Sequence, residues 1–241
     1  FTPPELAAFL ASRLIDYSCI DRPEQLRVLD PACGDGELLA AFASAARQDR
    51  SGRLVMVGVE SDPATCRAAQ ARLAADDVDS VEVEHGDFLE WWAARRQPPR
   101  LWGRAEVPAS LREPFDAVIA NPPYVRTQII GAEKAQQLAA AFGLTGRVDL
   151  YHPFLIAATQ SLRPGGLLGV ITSNRFLCTQ AGASVRQFLS RHFEVLEIID
   201  LGDTKMFEAA VLPAIFIGRK LDDRTTRPKT SPSRFLKIYS R

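Results

Sequence analysis

The chain is poor in the residues that build metal centres and covalent cross-links. Of its 241 residues only four are cysteine, Cys19, Cys33, Cys66 and Cys178, scattered without a Cys-x-x-Cys pair. The three histidines, His85, His152 and His192, lie far apart in sequence. Such spacing suggests neither a zinc site nor a disulfide framework. No apolar run approaches the roughly 20 residues that span a bilayer, and the N-terminus lacks the basic-then-apolar layout of a secretory signal. Both absences predict a soluble, cytoplasmic protein with no membrane partner. Net charge is missing too, since 29 Lys and Arg balance 29 Asp and Glu. A neutral chain lacks the cationic surplus that drives nonspecific nucleic-acid binding. Its charges are unevenly placed, however: after Gly218 come Arg219, Lys220, Arg224, Arg227, Lys229, Arg234, Lys237 and Arg241 against only Asp222 and Asp223. Residues 221–241 therefore read as a solvated basic tail or as a lead into another module. No internal repeat is apparent. The sequence opens at Phe1 rather than methionine, which predicts a piece of a longer polypeptide.

What is present is a core. With 46% hydrophobic residues the chain can bury one large α/β domain, placed at residues 1–220. Apolar runs of strand length alternate with stretches of helical period, as in βαβ units around a parallel sheet. Strands are expected at Arg27–Asp30, Leu54–Glu60, Val81–His85, Phe115–Ala120 and Leu167–Thr172. Helices are expected near Pro3–Ile15, Glu37–Arg47, Pro63–Ala75, Gly131–Phe142, Asp149–Leu162 and Ala181–His192. Gln97–Glu113 reads as an irregular insertion, and Pro164-Gly165-Gly166 as a turn into the following strand. The last two runs, Val195–Leu201 and Val211–Arg219, are joined too briefly for a crossover helix and should pair antiparallel. One antiparallel strand on a parallel sheet fits a methyltransferase better than a dinucleotide-binding dehydrogenase.

Asn121-Pro122-Pro123-Tyr124 follows the run Phe115–Ala120 directly. The amine of adenine, cytosine or an amide is a poor nucleophile because its lone pair is delocalised. The side-chain carbonyl of Asn121 and the backbone carbonyl of Pro122, in a segment whose φ is locked by two prolines, can grip both amine hydrogens and aim the lone pair outward. Tyr124 offers a ring face for stacking, worth about 1–3 kcal/mol per base. Asn-Pro-Pro is also ordinary turn chemistry, with a tyrosine covering a core edge.

Asp30-Pro31-Ala32-Cys33-Gly34-Asp35-Gly36 leaves one strand and opens a helix, where glycines allow a tight turn and close approach of a ligand. Such a loop serves NAD, FAD, a phosphate, S-adenosylmethionine or nothing. The third glycine of the dinucleotide spacing is absent, since Glu37, Leu38 and Leu39 follow Gly36, and Glu37 would repel a pyrophosphate. Glu60, closing the next strand, can accept from two ribose hydroxyls or simply end the strand before a helix cap at Ser61/Asp62. Asp87 and Phe88 can serve an adenine ring, as acceptor and stacking face, or be a turn aspartate and a core phenylalanine. Cys33 and Cys178 are expected to be buried structural thiols.

With these residues in order at successive strand ends, the chain resembles an adenine-specific amino-methyltransferase of DNA, in particular the catalytic domain of type II and type IIG restriction-modification methylases. Phe1-Thr2-Pro3-Pro4 resembles the family's N-terminal motif, and Asp30–Gly36, Glu60 and Asp87-Phe88 its cofactor motifs. Asn121–Tyr124, extended by Val125-Arg126, looks like the catalytic motif. Asp149-Leu150-Tyr151, Thr172–Leu177, Ile199–Asp203 and Met206-Phe207 look like later family segments. The resemblance implies a Rossmann-like class I methyltransferase fold with a seven-stranded, mostly parallel sheet, and S-adenosylmethionine as cofactor. It implies cofactor contacts from Thr2, Asp30, Ala32, Cys33, Gly34, Gly36, Glu60, Asp87, Phe88 and Asn121, and catalysis by Asn121, Pro122 and Tyr124. Tyr124, Arg126 and Phe176 would meet the substrate, an adenine flipped out of double-stranded DNA. Target recognition, and any nuclease, would lie in polypeptide outside this chain. A protein-glutamine or RNA guanine methyltransferase presents the same planar nitrogen, cytosine remains a possible target base, and a non-catalytic cofactor-binding assembly subunit is the reading from another class.

Overall fold

The computed structural model describes residues 2–18, 24–49, 52–74, 79–96, 107–122, 151–180, 182–202, 212–222 and 232–238. Its strands are β1 (Gln25–Asp30), β2 (Arg53–Glu60), β3 (Ser80–His85), β4 (Phe115–Ala120), β5 (Leu162–Ser173), β6 (Phe193–Asp200), β7 (Pro213–Lys220) and β8 (Arg234–Lys237). They form one sheet in the order β3-β2-β1-β4-β5-β7-β6-β8. The strands β1 to β5 are mutually parallel, while β7 runs antiparallel to both β5 and β6. This is the class I methyltransferase arrangement, and the final hairpin is antiparallel as its short connection requires.

Helices α1 (Pro4–Ser18), α2 (Glu37–Asp49), α3 (Pro63–Leu73), α4 (Phe88–Arg96), α5 (Tyr151–Ser161), α6 (Arg175–Cys178) and α7 (Ala183–His192) complete the described regular structure with a 3-10 turn at Ala109–Leu111. Alternate residues of the central strands feed two cores. Val28, Met56, Ile119 and Ile171 pack with α1, α2 and α3, whereas Leu29, Val57, Val118 and Val170 pack with α4, α5 and α7. Burial on both faces explains why these strands read as continuous apolar runs rather than as alternating ones. No described helix is long and apolar enough to cross a membrane.

Four features depart from the sequence expectation. An eighth strand joins the expected seven: Arg234–Lys237, in the stretch taken for a tail, pairs parallel with β6. All four of its residues are exposed, so it has no apolar face to betray it, and main-chain bonds such as Ile238 N–H to the Asp200 carbonyl (2.8 Å) hold that edge. Strand β5 begins before the Pro164-Gly165-Gly166 turn rather than after it. Phe115 pairs with Leu162 and Ala117 with Leu167, so the turn is a bulge inside the strand, with Gly165 at φ 77°. Helix α4 was not expected at all; its residues Phe88, Leu89 and Trp92 are buried, and the Asp87 carboxylate caps it by accepting from the N–H groups of Leu89 (2.9 Å) and Glu90 (3.2 Å). Finally, Cys33 is buried as expected but Cys178 is exposed, because it ends a four-residue surface helix. The expected helix Gly131–Phe142 lies outside the described residues.

Helix α1 seats the N-terminal segment. Leu6, Ala7, Leu10, Ala11 and Leu14 are buried, and the helix comes so close to β5 that a Cβ at Gly169 would lie 2.7 Å from Leu14 Cδ1. Arg13 ties the helix to β6 through Glu197, a carboxylate only 1% exposed, at 2.9 Å. Sheet order reverses between β1 and β4, which opens a crevice beyond the carboxyl ends of these strands.

Candidate active site

The loop after β1 is built to point backbone and acceptors into that crevice. Cys33 N–H donates to the Val59 carbonyl (2.9 Å) and Gly36 N–H to the Cys33 carbonyl (2.9 Å), folding the loop against β2 and starting α2. Gly34 and Gly36 take left-handed φ of 56° and 84°, conformations that a side chain resists. A Cβ at Gly34 would meet nothing within 4 Å, so the crevice is open there, whereas at Gly58 it would fall 2.9 Å from Cys33 Sγ. The absent side chain at Gly58 is what lets the Cys33 thiol sit under the loop. Burial and the nearby Asp30 and Glu60 carboxylates push that thiol well above its usual range, which keeps it protonated and unreactive.

Asp30, at the end of β1, is fully buried. Its Oδ1 accepts from Ala32 N–H at 3.1 Å, and its Oδ2 has no partner among the described residues. Burial, with a contribution from Glu60, raises the carboxyl from 3.8 to about 7 against the pull of the Ala32 N–H. Glu60, half-buried at the end of β2, accepts from Gly34 N–H (3.0 Å) through Oε2 and from Asp62 N–H (2.8 Å) through Oε1. The carboxylate is thus aimed along the loop. Asp35 and Glu37 are occupied by Arg72, at 3.4 and 2.5 Å.

Across the switch point, Asn121 follows β4. Its Nδ2 donates to Thr2 Oγ1 at 3.0 Å, while Oδ1 is buried without a partner among the described residues. Unpaired buried acceptors are uncommon and costly, by about 1–3 kcal/mol each. Two of them, Asp30 Oδ2 and Asn121 Oδ1, flank the same crevice. A site lined by carboxylates and an amide oxygen suits a ligand rich in donors and positive charge. A pyrophosphate would meet the wrong sign.

The other candidates divide. Pro122 is buried beside Asn121, and Ala32 donates its N–H to Asp30. Asp87 lies at the end of β3, where its carboxylate caps α4. The Phe88 ring is in the core, 6.1 Å from Trp92 and 5.8 Å from Phe154, and Phe176 is likewise buried at 6% exposure. Tyr124 and Arg126 lie outside the described residues. The contact between Thr2 and Asn121 joins positions 119 apart and has no local signal in sequence. Gly58, by contrast, interrupts an apolar strand, and a glycine there marks a close approach of another group.

The sequence model of the family described as Eco57I restriction-modification methylase matches residues 58–207. The chain is 43% identical over 245 residues to the type II methyltransferase M.BanIII of Aneurinibacillus aneurinilyticus, covering 99% of this chain and 41% of that protein. It is 36% identical to the type II methyltransferase M.XhoI of Xanthomonas vasicola, covering 97% of this chain and 44% of that one. The chain therefore spans about two fifths of the length of these relatives. Among solved structures it is similar to a class I S-adenosylmethionine-dependent methyltransferase from Listeria monocytogenes, with a TM-score of 0.75 at 21% identity over 100% of this chain and 66% of that one. It is also similar to the type IIG restriction endonuclease BpuSI, with a TM-score of 0.66 at 19% identity over 91% of this chain and 25% of that one. These likenesses bear on fold.

Proposed function

The chain belongs to the Eco57I restriction-modification methylase family, and from that premise we propose that it carries the methyl-transfer site of a DNA adenine methyltransferase that uses S-adenosylmethionine. The observation that supports this reading best is the buried Oδ1 of Asn121, without a partner among the described residues, near the Asp30–Gly36 loop. When bound, the cofactor supplies an electrophilic methyl group on a sulfonium. Asp30 and Glu60 are the residues to hold it: their acceptors match its ammonium group and ribose hydroxyls.

The chain's own part is to prepare the nucleophile. An adenine inside a duplex is out of reach, so the base is flipped into the crevice. Asn121 Oδ1 and the Pro122 carbonyl accept its two amine hydrogens, drawing the nitrogen toward tetrahedral geometry, and Tyr124 stacks on the ring. No base is needed before transfer, because the amine becomes acidic only as the N–C bond forms; the proton then leaves to water. Selection of the DNA sequence, and any nuclease, would reside in polypeptide outside these residues.

Incubation with methyl-labelled S-adenosylmethionine and unmethylated bacterial genomic DNA, followed by nucleoside analysis, tests the assignment. Label is expected in N6-methyladenine; label confined to N4-methylcytosine, to RNA or to protein would overturn it. Binding is a separate matter. Replacing Glu60 by alanine removes a charged acceptor worth about 1.5–3 kcal/mol, so calorimetric titration should show cofactor affinity falling about tenfold to a hundredfold.

A further inference from the structure

We infer that Thr2 is a positioning residue for the transfer step: its hydroxyl holds the Asn121 side chain so that Oδ1 meets the amine being methylated. This rests on the reading of Asn121 as amine acceptor, and assigns Thr2 a task distinct from contacting the cofactor. A side-chain amide has two faces of opposite sense. Turned by half a rotation, Asn121 would offer an NH2 group to an incoming amine, donor against donor. In the structure the Nδ2 group is engaged by Thr2 Oγ1 at 3.0 Å, which leaves Oδ1 directed away from Thr2 and without a partner among the described residues. Donation from Nδ2 also polarises the amide and makes its oxygen a better acceptor.

The hydroxyl is held firmly enough for this work. Thr2 precedes Pro3 and Pro4, so its own backbone is restricted to extended conformations and the next two φ angles are fixed. Pro3 O accepts from the N–H groups of Leu6 and Ala7, both at 3.0 Å, joining the segment to the first turn of α1. That helix is anchored in turn by its buried face against Gly169 of β5. A displaced catalytic group can cost about a hundredfold in rate, and here the anchor is one hydrogen bond from a rigid helix.

Thr2→Val keeps the shape and removes the acceptor; Thr2→Ser keeps the acceptor. With labelled S-adenosylmethionine and unmethylated bacterial genomic DNA, Thr2→Val is expected to lower turnover at saturating cofactor about tenfold to a hundredfold. Its cofactor dissociation constant should stay within about threefold, and Thr2→Ser should restore most of the rate. Loss of cofactor affinity with turnover intact would overturn the inference. A second readout does not depend on DNA methylation. In side-chain amide NMR spectra the Asn121 NH2 pair, identified by its disappearance in Asn121→Ala, should shift in Thr2→Val and stay near its wild-type position in Thr2→Ser. An unmoved pair in Thr2→Val would overturn the inference even if the wild-type protein methylates no DNA, an outcome that by itself would count only against the adenine assignment.

Discussion

Asn121→Ala should lower turnover about 10²–10³-fold, the range found when one preorganised polar partner of a transition state is deleted, while leaving cofactor affinity within about threefold. The asymmetry follows from where Oδ1 sits. It is buried, without a partner among the described residues, and is the acceptor read to meet the amine. The hydrogen bond it accepts strengthens as the nitrogen gains positive charge, so its loss falls on the transition state rather than on ground-state binding. Single-turnover rates at saturating cofactor, beside calorimetric dissociation constants, separate the two. Wild-type turnover in the variant would remove Asn121 from the mechanism.

Asp30→Asn is expected to act in opposite directions on stability and on binding. The carboxyl is raised from 3.8 to about 7 by burial, so between those values the native protein holds a proton that the unfolded chain has lost. Stability contributed at low pH is therefore lost as pH rises from about 4 to 7, and the penalty on the ionised form is at most about 4 kcal/mol. Asparagine cannot ionise, but its buried amide NH2 lacks a partner and gives back about 1–3 kcal/mol. The variant should then be more stable than wild type by about 1–3 kcal/mol near pH 8 and less stable by about 1–3 kcal/mol near pH 4, where the wild-type carboxyl is protonated. Its affinity for S-adenosylmethionine, a cation at both the sulfonium and the ammonium, should fall at least about tenfold near pH 8. Thermal unfolding and calorimetry across that pH range read both effects. Equal stability and unchanged affinity near pH 8 would mean that Asp30 is neither strained by its burial nor part of the cofactor site.

Much of this was legible because the informative residues stand at strand ends. Asp30, Glu60 and Asn121 each close an apolar run, and parallel strands bring their carboxyl ends to one rim without any need to know the helices between them. The antiparallel β6–β7 pair followed from a short connection alone. What escaped reading depends on contacts distant in sequence or on elements with no apolar face. Strand β8 is exposed at every position. Helix α4 is short, and its packing draws on Gly86, where the Trp91 ring leaves no room for a side chain. Phe88 and Phe176 carry the right chemistry for stacking on a base, and the structure packs both largely into the core. Aromatic identity in a motif says that a ring is present, whereas its direction is set by the packing of the next turn.

The seating of α1 on Gly169 also orders events during synthesis. The hydroxyl that anchors Asn121 is made well before β5, and its helix has nowhere to dock on that strand until β5 has been translated. At about 5–20 residues per second, that interval is roughly 10–30 s. For the last stretch of it, after Asn121 has been added and before β5 is complete, that side chain is untethered, so the proposed site cannot assemble in step with the ribosome. Competence arrives late and at once, when α1 and the segment before it fold back onto a strand made much later.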